Sequence, residues 1–187
     1  MTNKEFESLL KRRQSELRDL MHRTGPRIVG VKVVNFLKEN YRRGGYSDGG
    51  FHKWPLAKRQ KGGTPGAMGK YGPLLSKRNR LFSATDYTPG DAVVEIHNKT
   101  EYAGIHNEGG TTHPTVTPEM RRYFWAMYYK TGGKKSPKAD KYKWLALTTQ
   151  ERLTVNIPQR KFVYISPEVQ ELVREALKAE VKKILEA

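Results

Sequence analysis

Both ends of this chain repeat apolar residues at the helical interval, and the middle does not. In the last segment, Val169, Leu172/Val173, Ala176/Leu177, Val181 and Ile184/Leu185 fall on one face. Ser166 can cap that helix, with Pro167 at its first position. Glu168 and Glu171 stand early in it and Lys178, Lys182 and Lys183 late, as the helix dipole favours. At the other end, Phe6, Leu10, Leu17 and Leu20/Met21 mark a helix over 3–21, with Leu9 widening the face. Gly25-Pro26 is expected to break it, and a second helix to cover 27–41.

Two amphipathic ends need a shared surface on which to bury their stripes. Short strand-like runs supply it. Val93, Val94 and Ile96 follow the Pro89-Gly90-Asp91 turn, and 153–157 and 162–165 read as further strands. The expected class is α+β, a small, mainly antiparallel sheet packed with N-terminal and C-terminal helices. The 187 residues suit a single domain over 1–187, with two elaborations.

The first elaboration is a basic, glycine-rich loop over 42–73, with Phe51, Trp54 and Leu56 as its expected anchors. Residues 62–70 place glycines in the manner of a phosphate loop, yet Tyr71, rather than Ser or Thr, follows Lys70. The second elaboration is an aromatic helical insertion over 113–152. A helix from Pro118 to Lys130 carries Tyr123, Phe124, Trp125, Tyr128 and Tyr129, which read as interface candidates. The polar run 131–143 reads as a hinge, and a short helix is expected near 144–151.

The formal net charge is +16, and it is concentrated. Residues 1–80 hold 19 Lys/Arg against 6 Asp/Glu; the remainder holds 16 against 13. Such a balance favours weak nonspecific contact with nucleic acid, with Lys77, Arg78 and Arg80 as candidate phosphate contacts. A nucleic-acid-binding module using the basic region 42–80 is therefore the alternative function.

Cysteine is absent, which excludes disulfides and cysteine catalysis. No secretory leader is expected from the charged N-terminus, and no membrane partner from the lack of a long apolar run. The five histidines and Glu108 form no metal-ligand spacing, and no serine sits in a nucleophile elbow. The sequence thus points to a protein that is not an enzyme, with no catalytic residues, metal or cofactor.

Four segments, in order, carry a family resemblance. They are Gly50-Phe51-x-x-Trp54-Pro55-Leu56; Leu74-Leu75 followed by Arg80-Leu81-Phe82-Ser83; Tyr102-Ala103-Gly104-Ile105-His106-Asn107-Glu108-Gly109-Gly110; and Ile157-Pro158-Gln159-Arg160-Lys161-Phe162. The chain resembles the phage virion morphogenesis proteins, the tail completion family of Mu-like phages. It departs from their pattern at Asn79-Arg80, at Asn107 and at Lys161. The resemblance implies a noncatalytic structural role in tail completion or head–tail joining. It implies phage tail or connector proteins as partners and assembly into a homo-oligomeric ring. It also implies a place in the bacterial host cytoplasm during assembly, then in the virion neck or tail. Within these motifs, Tyr102, Ile105 and His106 are read as anchoring a turn, and Gly109 and Gly110 as permitting the reversal. Pro158 is read as stiffening the last strand's entry, Arg160 as forking onto a carboxylate or carbonyls, and Phe162 as entering the core.

Overall fold

A computed structural model describes residues 2–61 and 70–186. The fold is α+β: small antiparallel sheets flanked by N-terminal and C-terminal helices. Among the described residues the sheet material forms three two-stranded ladders instead of one sheet. The chain divides into two compact units. One comprises Met1–Lys53, Arg80–Thr100 and Phe162–Ala187; the other comprises Trp54–Asn79 and Glu101–Lys161.

In the first unit, helix α1 (Asn3–Asp19) runs through a π turn at Leu20–Thr24 into α2 (Gly25–Arg43). The break expected at Gly25-Pro26 does not occur. The Gly25 N–H reaches back five residues to the Leu20 carbonyl, and this wider turn absorbs the proline within the helix. Helix α2 buries Val29, Val33 and Leu37 against Val169 of α7 (Pro167–Glu186). The cap read at Ser166 is present, its hydroxyl accepting from the Val169 N–H at 3.3 Å.

The basic segment after α2 opens with a hairpin. Strands β1 (Gly45–Ser47) and β2 (Phe51–Lys53) form an antiparallel hairpin. Of the three expected anchors only Trp54 is buried; Phe51 and Leu56 lie at the surface. Gly62, Gly63, Gly66 and Gly69 lie outside the described residues.

Helix α3 (Arg80–Ala84) leads into the hairpin of β3 (Thr85–Pro89) and β4 (Val94–Asn98). A Cβ at Gly30 would lie 2.1 Å from the Tyr87 ring, so only glycine lets β3 lie this close to α2. Tyr41 is fully buried between Phe82 and Phe162, with ring centroids 5.8 and 5.5 Å away. Its hydroxyl lies 3.1 Å from Thr85 Oγ1. Burial raises its pKa well above the usual phenol range, so it stays neutral.

Residues 162–165 do not form the expected strand. Side chains hold them instead. Phe162 is buried, and the Tyr164 hydroxyl accepts from Asn40 Nδ2 at 2.7 Å and the Ser47 N–H at 2.9 Å.

In the second unit, α4 (Ala103–Glu108) precedes β5 (Gly110–Thr112), which pairs with β6 (Val155–Ile157). The pairing continues past the strands through a Thr115–Arg152 bridge and a Val116 N–H to Glu151 carbonyl bond of 2.8 Å. Beyond this neck stand α5 (Pro118–Lys130) and α6 (Asp140–Leu147), packed on each other around Tyr128, Ala139 and Tyr142. Helix α6 begins four residues earlier than expected, because Tyr142 and Ala146 both bury. The run 131–143, expected as a hinge, carries regular turns. It holds two 3-10 turns and the first turn of α6, with Ala139 fully buried.

Candidate functional site

Three of the motif segments meet in the second unit: Trp54-Pro55, the 102–110 turn, and 157–161. Helix α4 ends at Gly109, whose φ of 77° lies in the left-handed region. A Cβ there would stand 2.7 Å from the Gln159 nitrogen, so glycine serves both conformation and close approach. The Arg160 N–H then donates to the His106 carbonyl at 2.9 Å. Gly110 pairs across the ladder with Ile157, and the Ile105 side chain abuts Gly110. The Tyr102 ring meets His106 edge-on at 5.9 Å.

The first motif clasps the last one reciprocally. Arg160 Nε donates to the Pro55 carbonyl at 2.9 Å, and Trp54 Nε1 donates to the Lys161 carbonyl at 3.1 Å. Of the two partners open to Arg160, it takes the backbone carbonyl. Pro158 is exposed just after β6 and leads into this clasp, not into a strand.

Positive charge gathers here. Arg160 is only 4% exposed, and burial together with the nearby Arg59 cation holds its pKa below the usual arginine value. Burial and then the Arg160 charge push His106 down, which favours neutral imidazole. Arg59, which the sequence reading missed, donates through Nη2 to the carbonyls of Gly72, Leu75 and Pro73 at 2.5, 2.7 and 3.3 Å. No local pattern marks it, since its acceptors are main-chain atoms 13 to 16 residues away. The chemistry of this node is recognition of backbone carbonyls by cations and ring N–H groups.

The aromatic candidates divide. Tyr128 is buried, and Phe124 and Trp125 pack against the α5–α6 core. Tyr123 and Tyr129 remain 52% and 70% exposed, and Trp144 of α6, not among the candidates, is 76% exposed. Arg121 caps the end of α6, donating through Nη1 to the Ala146 and Thr148 carbonyls at 3.0 and 2.6 Å. Lys77 and Arg78 are exposed beside a turn in which Ser76 and Asn79 bond each other's backbone N–H; Arg80 is exposed at the start of α3. Phe162 lies in the core of the first unit.

Among the described residues, no group of three or more His, Asp or Glu is placed to hold a metal ion. No helix among them is long and apolar enough to cross a membrane. No protein-family model, curated protein or solved structure matches this chain.

Proposed function

We propose that this protein is a noncatalytic structural component of phage tail completion or head–tail joining. The observation that carries this reading is the convergence of the motif segments. Trp54-Pro55, Tyr102–Gly110 and Ile157–Lys161 are far apart in sequence, yet they form one node. Segments that resemble one family, in that family's order, are expected to meet if they encode one shared scaffold. The node's buried polar groups act on main-chain carbonyls, which fits a motif that holds shape. In this reading the partners are tail or connector proteins and further copies in a ring, and the protein moves from the host cytoplasm into the virion neck or tail.

The test is genetic. An in-frame deletion in the phage or prophage that carries the gene should yield heads and tail parts that fail to join, visible by electron microscopy. Complementation in trans should restore plaques. Normal infectious particles from the deletion would overturn the reading.

The second reading, a nucleic-acid-binding module over 42–80, draws on the exposure of Lys77, Arg78 and Arg80, which form no ion pair among the described residues. Tight duplex binding with clear sequence preference at physiological salt would favour it.

A further inference from the structure

The second half of the chain is nearly balanced in charge, and its positive excess is confined to one element. Residues 117–150, which carry α5 and α6, hold eight Lys/Arg against two Asp/Glu; the rest of 81–187 holds eight against eleven. Two of the eight cations are engaged, Arg121 on the end of α6 and Arg122 on Glu119 at 2.8 Å. The other six are Lys130, Lys134, Lys135, Lys138, Lys141 and Lys143. All six are exposed, and none pairs with a carboxylate among the described residues. Lys141 alone has a partner, the Tyr142 ring 4.9 Å from its ammonium. The one acidic residue among them, Asp140, opens α6, where the helix dipole favours it. Like charges this dense repel one another, and a polyanion from outside relieves that repulsion.

Aromatic rings flank the same lysines. Among the described Phe, Tyr and Trp side chains, Trp144 and Tyr129 are the most exposed, at 76% and 70%. Tyr129 stands one residue before the end of α5, and Trp144 about one turn into α6, so both lie near the tip where the two helices join. The Trp125 ring runs nearly parallel to Tyr129, with centroids 6.1 Å apart, and helps to fix its plane. On α6, Tyr142 and Ala146 turn inward, which leaves Trp144 on the helix's outer side.

We propose that this tip binds single-stranded nucleic acid. Bases stack on Tyr129 and Trp144, and the lysines between them take the phosphates. The alternation selects this partner. Charges lie between the rings, with no continuous apolar stripe such as a bilayer surface requires. An acidic peptide offers carboxylates without a regular series of flat rings, and a duplex keeps its bases stacked inside. The inference rests neither on the virion reading nor on a module over 42–80.

Fluorescence anisotropy with the full chain tests it. Labelled oligothymidylate and oligouridylate report the DNA and RNA cases, and tighter binding of either than of a blunt duplex of equal length supports the proposal. Changing Tyr129→Ser and Trp144→Ser together should weaken single-strand binding at least about tenfold and leave the duplex value unchanged. Changing Lys134, Lys135 and Lys138 together to Gln should weaken both and lower the single-strand salt slope by about 2. Circular dichroism should be unaltered in each variant, since every changed side chain is exposed. Equal affinity for single strand and duplex, or no binding at all, would overturn the proposal. Single-strand binding untouched by either set of changes but lost on Lys77→Gln with Arg78→Gln would overturn it in favour of the 42–80 module. Tighter binding to phosphatidylglycerol vesicles than to either oligonucleotide would overturn it in favour of a lipid surface.

Discussion

Arg160 and His106 share one structural task, and each predicts a different measurement. Arg160→Ala leaves the Pro55 carbonyl without this donor and removes a buried stem; it should cost roughly 2–3 kcal/mol in chemical denaturation. Arg160→Lys should recover only part, because an ammonium lacks the planar fork. His106 sets a pH dependence. Its folded pKa lies below the ordinary value of about 6.5, so the unfolded chain binds a proton more readily. Stability is therefore full above that value and falls as the pH drops through the window beneath it. His106→Gln should flatten the slope of Tm between about pH 7.5 and pH 5. An unchanged slope would show that His106 does not titrate differently on folding. Glu119 and Glu168, whose pKa values are lowered first by backbone hydrogen bonds, act further down, below the ordinary carboxylate range.

The α5–α6 hairpin is an element with its own core and a narrow base. Its buried cluster of Tyr128, Ala139 and Tyr142 is drawn entirely from within it, and the neck closes at Val116–Glu151. Replacing 117–150 by a short Gly/Ser link should leave a folded, cooperative protein, since the β5–β6 ladder and the Arg160 node lie on the other side of that neck. Global loss of the circular dichroism signal would refute this. Tyr128→Ala in the intact chain should cost about 3–5 kcal/mol of hairpin stability, the usual range for truncating a buried aromatic. Trp144→Ser, at an exposed position of the same hairpin, should leave stability nearly unchanged but weaken any partner that docks there.

Charge is a property of the whole molecule. At +16, the chain should bind duplex DNA weakly and without sequence preference, through release of condensed cations. Fluorescence titration should show affinity falling at least about tenfold between roughly 50 and 200 mM salt. A salt-independent constant would refute the electrostatic account.

Local periodicity and capping were enough to read α7 with its Ser166 cap and α5 with its bounds at Pro118 and Lys130. These depend on neighbours within a few residues, where helix geometry and cap chemistry decide the outcome. The motif segments too were legible as segments. Tertiary structure alone decided that α1 and α2 join through a π turn, because a proline within a helix is accommodated when packing rewards continuity. It decided that 162–165 is held by Phe162 and Tyr164, since a strand needs a neighbouring strand and its own sequence cannot supply one. It chose which aromatics of α5 turn inward, because α6 covers one face and leaves Tyr123 and Tyr129 to solvent. And it brought Arg160 to Pro55, a contact across 105 residues whose acceptor is a main-chain oxygen, identical in every residue type and therefore silent in sequence.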